Sequence, residues 1–234
     1  MADRTGPDAG IRRANAVRRL PDDTAGRRTA LEVLRAGGLV SIPTDTVYGL
    51  SVALHTPGGI ERIFAAKRRP PDKAIVVLVD GLDQLAGLVS VPPAAQVLAG
   101  VGWPGGLTIV LPLRSTAQMP PSLTAGTPTL GVRVPDHPTP RALARTLGPL
   151  PTTSANLSGE PDALDADTVE RTIGPECDLI LDGGQTAGGR SSTVIDCSES
   201  IPFVQRVGAV PVELLAEALD AAEIAHRLRD VPHG

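Results

Sequence analysis

"TLGVRVPDHPTPRALARTLGPLPTTSAN", Thr129 to Asn156, decides the fold class, because it changes periodicity twice. In "TLGVRVP" Leu130, Val132 and Val134 face one way and Thr129, Gly131 and Arg133 the other, the alternation of a strand. A helix fits Thr139 to Leu147, and "LPTTSANLSG" then reads as a strand ending in a polar loop. Outward from this unit the same interleaving continues. "LVSIP", "AIVVLVD", "GLTIVLPL", "DLILD", "STVIDC" and "PFVQRVG" read as strands. Helices fit Thr24 to Ala36 with Thr24 as N-cap, the segment "GGIERIFAAKRRPP", two short stretches between Asp83 and Val101, Asp165 to Ile173, and residues 211–229. Some strands follow each other too closely for a helical crossover. The expectation is an α/β domain with a mixed, twisted sheet flanked by helices.

The 234 residues are 41% apolar but only 2% aromatic, so Val, Leu, Ile and Ala must build the core of one large domain. A formal charge of −4 argues against a chain that coats nucleic acid. Cys177 and Cys197 read as reduced thiols of a cytoplasmic protein. No signal-peptide pattern opens the sequence, and "AIVVLV" is far short of the ~20 residues that span a bilayer. Residues 1–23, with Arg12, Arg13, Arg18 and Arg19, read as a loosely docked arm. Residues 24–212 read as the body of the fold and 213–234 as a terminal helix and tail.

Polar groups at strand ends carry the chemistry. "IPTDTVYGL", Ile42 to Leu50, places Thr44, Asp45, Thr46 and Tyr48 at the end of a buried run. Among 20 Arg there are two Lys, Lys67 and Lys73. Ile60, Ile63, Phe64 and Lys67 share a helical face, so Lys67 points inward where its helix leaves the core. Arg69 follows it, and Arg133 sits between apolar neighbours on its strand. Ser154 and Asn156, two apart in extended chain, point to one side. Brought together, Lys67, Arg69, Arg133, Ser154, Asn156 and the threonines would make a cationic concave cleft suited to a polyphosphate with Mg²⁺. "GQTAGGRS", Gly184 to Ser191, mimics a phosphate loop but runs into a strand, not a helix, and so lacks the required context. The four histidines are too scattered for a zinc site.

"IPTDTVYGL", the KxRP of "AKRRPPDK", "GLTIVLP", "GVRVPDHP", "TSANLSGEP", "STVID" and "QRVGAV" resemble, in order and spacing, the threonylcarbamoyl-AMP synthases, the YrdC-type proteins. The resemblance runs from about Ala30 to Val212. It implies a YrdC-like sheet around a basic cleft. The implied substrates are L-threonine, bicarbonate (or CO₂) and ATP with Mg²⁺, and the products threonylcarbamoyl-adenylate and pyrophosphate. The product would pass to a tRNA threonylcarbamoyl transferase complex; no membrane and no direct tRNA binding are expected. Carried over, Lys67 and Arg69 are the catalytic basic pair. Lys67, Pro71, Thr129, Ser154, Asn156, Asp162, Ser192 and Arg206 fall on the ATP side, and Thr44, Arg133 and Thr152 on the threonine side. Ser51, where a second glycine is usual, and Ala74, where proline is common, depart from the pattern. Two other readings use the same residues: a carbamoyl-adenylate-forming domain, and a non-catalytic RNA-binding module.

Overall fold

The computed structural model describes residues 17–70 and 73–230. The first half contributes β1 (Arg19–Pro21), α1 (Thr24–Arg35), β2 (Val40–Ile42), β3 (Gly49–Ser51), α2 (Gly59–Lys67), β4 (Val76–Leu78) and α3 (Pro93–Gly102). Then come β5 (Leu107–Pro112), α4 (Pro121–Thr124), β6 (Thr129–Arg133), α5 (Pro138–Leu147) and β7 (Leu150–Ser154). The chain finishes with α6 (Ala166–Thr172), β8 (Leu179–Asp182), β9 (Thr193–Asp196), β10 (Phe203–Arg206) and α7 (Val212–Ala221). The strands form one sheet in the order β1-β8-β2-β3-β7-β4-β6-β5-β9-β10. Pairings β1–β8, β2–β8, β4–β6 and β5–β9 are parallel and the rest antiparallel, so the sheet is mixed, as the element spacing predicts.

The two faces of the sheet are covered unequally, and that positions the site. On one face Leu50, Val77, Ile109, Leu111, Leu130, Val132 and Ile195 join the main core with Ile63 and Phe64 of α2, Leu98 of α3 and Leu215 of α7. On the other face Val40, Ile42, Leu78, Leu150, Leu179 and Leu181 form a smaller cluster with Ala30 and Leu34 of α1 and Leu143 and Ala144 of α5. These two helices shield the β1-β8-β2 side. Beyond Leu78 the second face carries Ser51, Thr152 and Val76, paired in register, then Gly131 beside Val110. A cleft opens there because helical cover stops.

Helix starts follow side-chain capping. Asp23 Oδ1 accepts from Gly26 N at 2.8 Å and Asp165 Oδ1 from Thr168 N at 2.7 Å. The cap of α1 is therefore Asp23, not Thr24; three polar residues in a row offer near-equivalent caps, and the aspartate takes it. Two other expectations are corrected. The arm does not extend to residue 23: Arg19–Pro21 pairs with Ile180–Asp182, and Arg19 binds Asp182, Asp167 and Glu170 instead of any cleft. Arg12 and Arg13 lie outside the described residues. The last helix ends at Ala221, not 229. Glu223 turns left-handed (φ 56°), and the chain doubles back to bury Leu228 beside β10. Cys177 and Cys197 are free and buried, and no helix among the described residues is long and apolar enough to cross a membrane.

Candidate functional site

The uncovered face forms a cleft of about 710 Å³, open to solvent. It collects residues from far apart in the sequence: Thr44, Thr46 to Gly49, Arg69, Val76 and Leu78, Thr108, Arg133, Thr152 to Ser154, Ser191, Ser192 and Arg206. Arg133 and Ser154, expected to converge, do so. Lys67 stands behind the wall instead of in it.

Arg133 ends β6 and is 6% exposed. Its Nε donates to Gly105 O at 2.8 Å, Nη1 to Thr46 Oγ1 at 2.9 Å and Nη2 to Asp45 Oδ1 at 2.6 Å. Three of the five guanidinium N–H groups are thus engaged by protein, and one on each terminal nitrogen is left for a ligand. Burial pulls the guanidinium below its ordinary pKa, and the Asp45 carboxylate opposes that pull. Within "IPTDTVYGL" Asp45 is thus the counter-ion of Arg133 and Thr46 its hydroxyl partner; neither is assigned a role from sequence. Thr44 is buried in the wall and Tyr48 lines it, its hydroxyl donating to Gly184 O at 2.8 Å and accepting from Gly183 N at 3.0 Å.

The Lys67 expectation is corrected. Lys67 ends α2 at 2% exposure and its Nζ donates to Ser154 O, to Asn156 O at 2.6 Å and to Asn156 Oδ1 at 3.1 Å. All three ammonium hydrogens serve the turn after β7, which leaves none for a phosphate. Burial, reinforced by Arg69, lowers its pKa to about 8, with Asp162 opposing. Asn156 is likewise turned from the cleft. Its Oδ1 accepts from Ser154 Oγ at 2.6 Å and its Nδ2 donates to Glu160 O at 2.6 Å. Asn156 lies beyond the end of β7, yet its side chain meets that of Ser154, as the same-side expectation has it; the pair is spent on each other and on the turn. Arg69 does line the cleft. Its Nη1 donates to Thr153 Oγ1 at 3.1 Å and Nη2 to Ala74 O at 3.0 Å, with the guanidinium 5.8 Å from the Phe64 ring centre.

At the far rim Arg206 donates to Ser192 O at 2.9 Å and Ser192 Oγ at 3.1 Å, and Ser192 Oγ lies 2.8 Å from Thr108 Oγ1. Burial lowers the Arg206 pKa. Thr108 went unnoticed in sequence, although a threonine alternating with Leu107 and Ile109 was a readable signal. Asp162 accepts from Ser191 Oγ and so braces the rim without lining the cleft. Thr129 sits at the other end of β6 from Arg133, roughly 13 Å along the strand, bonded to Thr127 Oγ1 and outside the lining. Pro71 lies outside the described residues. The loop mimicking a phosphate site joins β8 to β9, two strands, as read.

The family model described as "Telomere recombination", covering Sua5, YciO and YrdC proteins, matches residues 32–208, the whole span from Thr44 to Arg206. The chain belongs to the Sua5/YciO/YrdC family. Within this family it is 36% identical over 203 residues to threonylcarbamoyl-AMP synthase of Bacillus subtilis, covering 86% of this chain and 58% of that protein. A putative threonylcarbamoyl-AMP synthase of Mycobacterium tuberculosis is 35% identical over 199 residues, 84% of this chain and 91% of the relative. Among solved structures, Pyrococcus abyssi Sua5 complexed with L-threonine matches with a TM-score of 0.81 and 35% identity over 90% of this chain and 61% of that one. The chain spans little more than half of the Bacillus and Pyrococcus family members.

Proposed function

We propose that this chain makes L-threonylcarbamoyl-adenylate from L-threonine, bicarbonate (or CO₂) and ATP. The threonine amine adds to CO₂ and releases a proton (from bicarbonate, water leaves instead), a carbamate oxygen bonds to the α-phosphorus, and the bond from that phosphorus to the departing pyrophosphate breaks. The names of the Sua5/YciO/YrdC relatives support this reading. The observation that carries it is the Arg133 fork, held by Asp45, Thr46 and Gly105 in the cleft that also exposes Arg69, Ser154 and Ser192. A fixed guanidinium with two open N–H groups suits an amino-acid carboxylate. Arg69 and Arg206, with the Ser192 hydroxyl, suit phosphate oxygens and developing negative charge.

The chemistry asks for two anions to be brought together, and the site supplies positioning and charge rather than a proton carrier. Mg²⁺ is proposed to arrive on the nucleotide's phosphates. Hydroxyls are what the wall offers, and no group of three or more His, Cys, Asp or Glu able to hold a metal occurs among the described residues. No step is routed through a protein-held ion. Delivery to a tRNA-modifying transferase complex and a cytoplasmic setting complete the proposal.

Mass spectrometry of a reaction with ATP, Mg²⁺, bicarbonate and threonine tests it. The threonylcarbamoyl-adenylate mass is expected, with pyrophosphate release collapsing when threonine is left out. Release that continues unchanged without threonine would overturn this reading in favour of carbamoyl-type adenylation.

A further inference from the structure

Two threonines of the cleft present methyl groups, not hydroxyls, at one point of its wall. A Cβ built on Gly49 would stand 2.6 Å from Thr152 Cγ2 and 3.7 Å from Thr44 Cγ2, so both methyls lie over Gly49. Their hydroxyls are engaged within the protein. Thr44 Oγ1 donates to Val47 O at 2.7 Å and accepts from Thr46 N at 3.1 Å and Val47 N at 3.3 Å. A hydroxyl has one hydrogen and two lone pairs, so Thr44 has nothing left to offer. Thr152 Oγ1 donates to Leu150 O at 3.0 Å, and its remaining contact, 2.9 Å to Ser51 Oγ, is therefore one it accepts. Neither threonine can donate to a ligand.

Ser51 is fully buried, directly opposite Thr152 in the β3–β7 register, and outside the cleft lining. Among the described residues its hydroxyl bonds to Thr152. The methyl pair also adjoins the carboxylate grip: Thr46 Oγ1 lies 3.1 Å from Thr44 Oγ1 and 2.9 Å from Arg133 Nη1. An amino acid whose carboxylate rested on Arg133 would bring its β-carbon within reach of the methyl wall.

We infer that Thr44 and Thr152 determine specificity by receiving the β-methyl of the amino acid, and that Ser51 is a positioning residue that keeps the Thr152 methyl turned to the ligand. This rests on the reaction proposed above and adds to it a basis for choosing threonine over serine, which differ by that one methyl. Apolar pockets separate such pairs by about 10- to 200-fold.

The test compares kcat/KM for threonine and for serine, from pyrophosphate release, in the wild type and four variants. Thr152→Ser and Thr44→Ser keep the hydroxyl network and remove a methyl; each is expected to cut the threonine-to-serine ratio about fourfold, the worth of one buried carbon. The Ser51→Ala/Thr152→Val double variant keeps the methyl and removes both hydroxyls, and is expected to keep the ratio. Ser51→Ala alone frees the Thr152 lone pair and is expected to lower the ratio, which a purely structural role for Ser51 would leave unmoved. The reverse order, with the ratio lost in the double variant and kept in both serine variants, overturns the inference, since a hydroxyl would then be reading the substrate. Equal use of serine and threonine by a threonine-dependent wild type overturns it while leaving the reaction standing. Pyrophosphate release independent of any amino acid overturns both.

Discussion

Lys67 shows how a residue can matter to a cleft without touching it. Its ammonium fastens the end of α2 to the turn at Ser154 and Asn156, and Ser154 is what the cleft meets. Buried to 2% exposure, it titrates near 8 instead of 10.5. Between those values the unfolded chain binds more protons than the folded one, so the Lys67 contribution to stability rises with pH, by roughly 3 kcal/mol in full. Cys177 and Cys197, each pushed up to about 12 by burial, act in the opposite direction above pH 9. Comparing wild type with Lys67→Met by urea unfolding cancels that shared term. The stability difference is expected to move in favour of the wild type from pH 7.5 to 10.5, and a flat difference would show an ordinary lysine. Tyr48→Phe removes the partner of Gly183 N and Gly184 O. It is expected to cost about 1–3 kcal/mol in the same assay, with faster amide exchange at Gly183. The apolar stripe of α2 foretold that Lys67 turns inward. Its main acceptors are backbone carbonyls, which no sequence pattern marks, so the partner was invisible.

At the scale of elements, the exit of α2 sorts two cations. Arg68 adopts φ 50°, ψ 40°, with its N–H on Ala65 O and Arg69 N–H on Phe64 O, a reversal that sends Lys67 inward and Arg69 over Phe64. A left-handed non-glycine residue costs about 1–2 kcal/mol, and Arg68 is exposed. Arg68→Gly is therefore expected to raise the unfolding free energy by about 0.5–1 kcal/mol, visible as a higher urea midpoint, while Arg68→Val lowers it. Pro70 and Pro71 made the end of this helix legible in the sequence. The reversal itself was not, because an arginine occupies a glycine's place. Glu223 misleads in the same way at the end of α7, where an amphipathic pattern continues past a turn that no glycine or proline announces.

For the molecule as a whole, interleaved periodicities announce a mixed α/β sheet, but strand order is hidden because β1 and β8, and β5 and β9, meet across long stretches of chain. The cleft residues were legible as types at strand ends. Which of them face the hollow depends on where α1 and α5 cease to cover the sheet, a matter of tertiary packing. Leu228, fully buried, pins the final segment across β10. Leu228→Ala is expected to cost about 2–5 kcal/mol, read as a lower unfolding midpoint. A last connection lies against the segment that holds Arg133. At Gly188 the β8–β9 loop sits so close that a Cβ would stand 2.5 Å from Asp45 O and 2.8 Å from Thr46 Cα, and those two residues hold the Arg133 guanidinium. The β8–β9 loop and the grip on Arg133 thus share one backbone contact, so a side chain added at residue 188 would push on the two residues that hold the guanidinium.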